Sequence, residues 1–256
     1  MKIGILGAGS MGSAIIKGLL HDYAATDLYV KGGRLAPMQQ LQQQLGFNLM
    51  TSNDELAAAP IDILFVVTPA KITLDVLQDL HALKSNVAIV SAVSGISLAE
   101  LADLFPQSPI VRIIPNTPVA VNAGTTGIAF GAHTDDVKDQ INQVLQVLGD
   151  VIEVPEANLG ILGTVGGCGP AFVDLFMEAM ADAAVQNGLP RALAYQVVTS
   201  MVKGSGQLAF DAKENPAILK DAVTSPGGTT IQGVVALEKN GFRYAVIDAV
   251  NQANHN

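Results

Sequence analysis

The sequence predicts an α/β protein in two parts, an N-terminal parallel sheet flanked by helices and an all-α C-terminal part. Three observations predict it. A glycine-rich turn at residues 7–12 sits between a short apolar run and a helical pattern at the start of the chain. Short apolar runs then alternate with helical patterns, as strands do when crossover helices join them and cover both faces of a sheet. From about residue 155 onward the strand-like runs cease, and long helical patterns punctuated by Gly and Pro take over. The boundary is expected near residues 154–158, which assigns residues 1–154 to one domain and 155–256 to the other.

Residues 2–6, rich in Ile and Leu, are the first predicted strand. Gly7, Ala8, Gly9, Ser10, Met11 and Gly12 then turn the chain, and Ala14, Ile15, Gly18 and Leu19 continue at helical spacing. Strand, G-x-G-x-x-G turn and helix make a Rossmann-type site for a dinucleotide: Gly7 for the tight turn, Gly9 for close approach of the backbone to the pyrophosphate, Gly12 for helix–strand packing. The helix N-terminus adds partial positive charge. Leu6 and residues 7–12 are therefore candidate cofactor contacts. Further strands are predicted at residues 28–30, 61–67, 87–93, 110–114 and 126–130, with helices at 35–45 and 73–83 between them.

In the C-terminal part, one helix opens at Pro170 and stops at Gly188, an arrangement that suits both helix ends. Phe172, Leu175, Phe176, Ala179, Met180 and Ala183 fall on one face of it, and Asp174, Glu178 and Asp182 on another. The acidic stripe is read as a solvated face rather than a set of general acids. Further helical patterns cover residues 192–210 and run from Thr229 to Gly241. The patterns over 192–209 and 231–250 carry more apolar residues than one narrow stripe uses, so a homo-oligomer is expected.

Composition excludes several classes. The chain has 256 residues, 49% of them hydrophobic and 14% charged, enough for a substantial core. A net charge of −9 argues against nucleic acid or an anionic membrane as partner, because both would be repelled. A single cysteine, Cys168, allows no internal disulfide, and His21, His81, His133 and His255 are scattered without metal-ligand spacing, so no metal is expected. No basic leader and no unbroken apolar stretch of about 20 residues is evident. A soluble cytoplasmic protein is expected.

The end of the second strand reads Tyr29-Val30-Lys31-Gly32-Gly33-Arg34. NAD sites usually place a carboxylate here for the ribose 2′-hydroxyl, whereas a 2′-phosphate calls for cations. Lys31 and Arg34 thus favour NADP(H) over NAD(H), with NAD(H) possible; two exposed basic residues on a loop are the plainer alternative.

Three segments together resemble pyrroline-5-carboxylate reductase: Val111-Arg112-Ile113-Ile114-Pro115-Asn116-Thr117-Pro118; Gly169-Pro170-Ala171-Phe172 with Glu178-Ala179 and Gly188-Leu189-Pro190-Arg191; and Leu219-Lys220-Asp221 with Ser225-Pro226-Gly227-Gly228-Thr229-Thr230. Their order and spacing extend the resemblance over essentially the whole chain. It implies a Rossmann domain, an all-helical C-terminal domain that dimerises, and NAD(P)H-dependent reduction of L-Δ1-pyrroline-5-carboxylate to L-proline. It also implies that backbone N–H groups around Ser225, Gly227, Gly228 and Thr229 hold the substrate carboxylate and that the Thr230 hydroxyl bonds the ring nitrogen, as the catalytic contact. By the same resemblance Asn53 meets the adenosine ribose, and Val66, Val67, Thr68, Pro69, Ala92, Val93, Ser94 and Gly95 line the nicotinamide. Asn53 read by itself is equally a helix N-cap. Asn116, on a loop after a strand, is a candidate cofactor contact or simply part of a rigid turn.

The chemistry asks for little more. Reducing a cyclic imine needs hydride on carbon and a proton on nitrogen, with no nucleophile or metal, and a helix start offers N–H groups to the carboxylate. A cap made by Ser225 or Thr229 is the ordinary alternative.

The chain departs from the family pattern at Val67-Thr68-Pro69, where Val-Lys-Pro is usual, and at Gly166-Gly167-Cys168-Gly169-Pro170, where Ser-Gly-Ser-Gly-Pro is usual. The Asp and Thr usual just upstream are replaced within Gly160-Ile161-Leu162-Gly163. These departures keep open a non-catalytic NADPH-binding regulator. The glycine turn also resembles that of β-hydroxyacid dehydrogenases, although the helix over 170–188 lacks the lysine they place in their second domain. Cys168 is read as a small residue at a crowded turn rather than a reactive thiol.

Overall fold

The structure is a computed structural model describing residues 1–80 and 82–254; His81 and His255 lie outside the described residues. The chain divides into two compact units, Met1–Gly167 and Cys168–Asn256.

The first unit is an alternating chain of β1 (Ile3–Leu6), α1 (Ser10–Leu19), β2 (Leu28–Lys31), α2 (Leu35–Leu45), β3 (Asn48–Leu49), α3 (Asn53–Ala58), β4 (Ile63–Val66), α4 (Ala70–Gln78), β5 (Ala88–Ser91), α5 (Leu98–Leu104), β6 (Ile110–Ile114), β7 (Gly124–Phe130), α6 (Lys138–Gln146) and β8 (Gly149–Glu153), followed by α7 (Leu159–Gly163). The strands form one sheet in the order β3-β2-β1-β4-β5-β6-β7-β8. Residues alternate between the faces. Ile63 and Phe65 of β4 join Ile15, Ile16 and Leu19 of α1 and Ile141 and Val144 of α6 in one core. Leu64 and Val66 join Leu56, Leu77 and Leu101 from α3, α4 and α5 in the other. Near-continuous apolar strands are what two covered faces require.

The sheet is parallel, as expected, except at one pairing. β7 pairs antiparallel with β6, and β8 then runs parallel to β7. Only residues 115–123, containing the 3₁₀ turn Thr117–Val121, connect β6 to β7. A parallel return needs a crossover of about a dozen residues or more. The helix expected at 73–83 is α4, which starts at Ala70 behind Pro69 and ends at Gln78. Proline fixes its own φ and lacks an N–H, so it starts the helix directly, three residues before the apolar periodicity becomes visible.

The second unit contains α8 (Gly169–Gln186), α9 (Arg191–Ala212), α10 (Pro216–Ala222), α11 (Thr229–Lys239) and α12 (Phe242–Ala253). Pro170 lies in the first turn of α8, and Gly188, with φ of 96°, follows its end. Gly241, with φ of 74°, splits the helical pattern over 231–250 into α11 and α12. Asp174, Glu178 and Asp182 are exposed, and Asp182 pairs with Arg191 at 2.6 Å across the α8–α9 turn, so the stripe is a solvated face.

This unit buries very little of its own. Its core consists of Ala181, Ala194 and Val198, while Leu175 is 67% exposed, Phe210 60%, Val235 58% and Ile247 57%. Three small side chains cannot offset the entropy of ordering five helices, so the apolar faces belong against a second copy of the chain. Against the expectation of no apolar stretch near 20 residues, the helical run Glu156–Gln186 meets the length and hydropathy of a membrane span. Replacing Leu175 and Val246 with glutamate is expected to convert an oligomer of at least twice 26.5 kDa into monomers with reduced helicity. Light scattering and circular dichroism check this; an unchanged mass would place the subunit contact elsewhere.

Candidate functional site

The chain leaves β1 toward β2 on one side of the sheet and later enters β4 on the other, so β1 and β4 are neighbours whose following loops diverge. Ligands of open α/β sheets bind at such a switch point, outside the carboxyl ends of the strands. Three loops are pinned there to the sheet by ladder-type bonds: Gly7 N–H to Lys31 O at 2.8 Å, Val67 N–H to Leu6 O at 2.8 Å, and Ala92 N–H to Val66 O at 2.9 Å. Between them lies a cleft of about 590 Å³, lined by Leu6, Gly7, Ala8, Gly9, Ser10 and Met11, by Lys31 and Arg34, and by Val67, Thr68, Pro69 and Ala92. Its size is that of a small-molecule site.

The three glycines of the turn are held by different constraints. Gly7 has φ of 107°, and a Cβ there would lie 2.5 Å from the Val67 carbonyl oxygen. A Cβ on Gly12 would overlap the Gly7 carbonyl oxygen, so α1 packs on the turn only with glycine. Gly9 has φ of −69° and ψ of −159°, open to any residue, and its Cβ would meet no protein atom within 4 Å. The protein itself does not demand glycine at residue 9. It begins α1 with no side-chain cap, so the first N–H groups of the helix, on the cleft-lining residues Ser10 and Met11, have no side-chain partner.

Lys31 and Arg34 both line the cleft, and neither makes an ion pair among the described residues. Gly32, Gly33, Pro37, Met38, Ile72 and Val76 complete the lining, none of them singled out from the sequence. Ile72 and Val76 are four apart on α4, and the 47% exposure of Ile72 marks that face as one meant to be covered. A periodicity search assigns such residues to the core.

The remaining expected contacts are placed apart from the lining. Val66 and Val93 are buried, Gly12 lies under the turn, and Ser94 and Gly95 are exposed beyond the end of β5, with Gly95 at φ of 84°. Asn53 is not the cap of α3, because Ser52 is: its hydroxyl accepts from Glu55 N–H at 3.1 Å. Asn53 Nδ2 donates to Asp79 Oδ2 at 3.1 Å, and its Oδ1 is buried with no hydrogen-bond partner. Asn116 is 7% exposed and fully engaged: Nδ2 donates to Gly166 O at 3.0 Å and Oδ1 accepts from Thr125 N–H at 2.8 Å. Its amide braces the β6–β7 connection against the π-turn Thr164–Cys168. That is the rigid-turn alternative.

Arg112 of the same motif is also structural. It pairs with Glu156 at 2.7 Å, and Glu156 accepts as well from Leu98 N–H at 2.7 Å, an otherwise unpaired donor in the first turn of α5. Burial raises the Glu156 pKa, but the Arg112 and Leu98 donors outweigh it and hold the carboxyl below its ordinary value.

In the second unit, residues 225–230 form one compact feature. Pro226 and Gly227, with φ of 71°, are the middle of a turn closed by Gly228 N–H to Ser225 O at 3.0 Å. Gly228 is the N-cap of α11, and no side chain caps the helix. Neither Ser225 nor Thr229 makes the cap that was the ordinary alternative. The N–H groups of the first turn and the exposed hydroxyls of Thr229 and Thr230 are left at the surface of a turn that glycine keeps narrow. Cys168, half-buried, ends the π-turn before α8.

Comparison with known proteins agrees with both units. Residues 2–95 match the family model of NADP oxidoreductases described as coenzyme F420-dependent, and residues 156–256 match that of pyrroline-5-carboxylate reductase dimerisation. The apolar run Glu156–Gln186 falls inside the dimerisation match, which accounts for its composition without a membrane. Pyrroline-5-carboxylate reductase of Synechocystis is 38% identical, over 99% of this chain and 96% of its own length. That of Escherichia coli is 37% identical, over 98% and 95%. Among solved structures, Plasmodium falciparum pyrroline carboxylate reductase with NADP bound superposes with a TM-score of 0.86 at 31% identity, covering 99% of this chain and 95% of that one. Identity at this level over the full length of both partners is shared ancestry, and the chain belongs to the pyrroline-5-carboxylate reductase family.

Proposed function

We propose that this protein reduces L-Δ1-pyrroline-5-carboxylate to L-proline, the last step of proline synthesis, using NADPH in preference to NADH, in the cytoplasm. Residues 1–154 hold the cofactor, and residues 155–256 carry dimerisation and the substrate turn. Gly9 supports the cofactor assignment most directly, because it is a glycine that neither backbone conformation nor packing requires. The residues present fit a dinucleotide: open N–H groups at α1 for the pyrophosphate, and Lys31 and Arg34 for a 2′-phosphate. When bound, the dinucleotide supplies the hydride that reaches the imine carbon. The protein's own part is to hold and orient. The N–H groups of Thr229 and Thr230, in the first turn of α11, take the substrate carboxylate, and the Thr230 hydroxyl meets the ring nitrogen, which arrives protonated.

The test is NADPH absorbance in purified protein given pyrroline-5-carboxylate, beside 3-hydroxyacids with NADP. Oxidation with the imine alone is the expected result. Protein that binds NADPH and leaves it unoxidised is a regulator, and turnover of hydroxyacids makes it a dehydrogenase of the other class. Replacing both Lys31 and Arg34 by alanine is expected to raise the KM for NADPH about 10- to 100-fold, the scale of lost charge-assisted hydrogen bonds. The KM for NADH should stay near the parent value, and equal losses for both cofactors would remove the 2′-phosphate assignment.

A further inference from the structure

The proton count around Thr68, which stands where the family usually has lysine, restricts what the cleft wall accepts. Thr68 lines the cleft, and its Oγ1 lies 2.8 Å from Oγ1 of Thr73, a fully buried residue of α4. Thr73 Oγ1 also lies 3.0 Å from the Pro69 carbonyl oxygen, which accepts and never donates. The Thr73 hydroxyl donates to Pro69. With that proton on Pro69, Thr68 supplies the one between the two hydroxyls, and Thr68 Oγ1 then offers the cleft only lone pairs. A lysine at this place is a donor and a cation; Thr68 is a neutral acceptor.

We propose that the Thr68–Thr73–Pro69 chain makes this wall of the cleft an acceptor for a hydrogen-bond donor of the cofactor, a ribose hydroxyl or the carboxamide N–H of the nicotinamide, with Thr73 as the positioning residue that fixes the polarity. It rests on the dinucleotide reading above. Phosphate oxygens, being acceptors, are disfavoured beside Thr68 and are left to the glycine turn and Lys31.

The experiment titrates NADPH and its 3-acetylpyridine analogue, which lacks the amide N–H, into parent, Thr68→Val, Thr68→Ser, Thr73→Val and Thr73→Ser proteins, following dinucleotide fluorescence or absorbance. Both valine variants should weaken NADPH binding roughly five- to tenfold, as for one neutral hydrogen bond, and both serine variants should bind like the parent. If the donor is the carboxamide, the parent discriminates against the analogue and Thr68→Val does not; if it is a ribose hydroxyl, the two discriminate alike. Thr73→Val with cofactor affinity within twofold of the parent would overturn the proposal while leaving the dinucleotide cleft intact. Failure of Thr73→Ser to restore binding would also overturn it, since the effect would then be one of packing. Parent protein that binds neither dinucleotide overturns the cleft reading, and this proposal with it.

Discussion

Gly9→Ala protein is expected to unfold within about 3 °C of the parent and to bind NADPH at least about 100-fold more weakly. The two halves of this result come from different atoms. Residue 9 lies in extended backbone, where alanine is as comfortable as glycine, and the added Cβ touches nothing. Stability loses only the small difference between glycine and alanine as N-cap residues. Binding loses more, because a methyl group where the backbone faces the cleft holds the pyrophosphate away from the N–H groups of α1, and each lost charge-assisted bond is worth about 1.5–3 kcal/mol. Gly7→Ala and Gly12→Ala should fail differently. Gly7 combines a left-handed φ with a Cβ position 2.5 Å from a carbonyl oxygen, and Gly12 packs directly on the Gly7 carbonyl. Backbone on both sides cannot shift cheaply, so both variants should lose about 2–4 kcal/mol of stability whether or not cofactor is present. Calorimetry beside fluorescence titration separates the two outcomes. Gly9→Ala protein that binds NADPH as tightly as the parent would remove the turn from the cofactor site.

What the sequence disclosed follows from how local each signal is. The glycine turn, the alternation of apolar runs and the proline-to-glycine span of α8 are each settled within a dozen residues, and each is found where its residues predict it. The reversal at β7 is not local: it depends on the connection being too short to cross over, which becomes decisive only once β6 and β7 are known to pair. Asn116 likewise shows a turn-forming residue in sequence, while its hydrogen-bond partners, Gly166 and Thr125, come together only through the fold. The cleft was legible where backbone chemistry defines it and illegible where side chains of a neighbouring helix line it, as Ile72 and Val76 do. An apolar residue on a half-buried helix face looks the same whether protein or cofactor covers it.

Thr230→Val should lower kcat/KM for pyrroline-5-carboxylate about 10- to 100-fold while leaving NADPH binding unchanged, and Thr230→Ser should recover most of the loss. The substitution is nearly isosteric, so it removes the hydroxyl and little else. That hydroxyl is unspent. Thr224, six residues earlier, donates to the carbonyls of Lys220 and Asp221 at 3.2 and 3.0 Å, as helix-terminal threonines often do, whereas Thr230 Oγ1 has no hydrogen-bond partner among the described residues. It sits in the first turn of α11, whose cap is the backbone of Gly228 and no side chain. A hydroxyl left free beside free N–H groups can orient a ring that carries a carboxylate next to its nitrogen: the anion meets the helix start, and the nitrogen meets the hydroxyl. The loss should fall mainly on kcat if the contact tightens as the nitrogen becomes an amine, and mainly on KM if it serves ground-state binding alone. Thr224→Val is the control, costing stability and leaving kcat/KM near the parent value. Equal losses from the two threonines would mean that the turn acts only through its fold, and Thr230 would then have no part in orienting the imine.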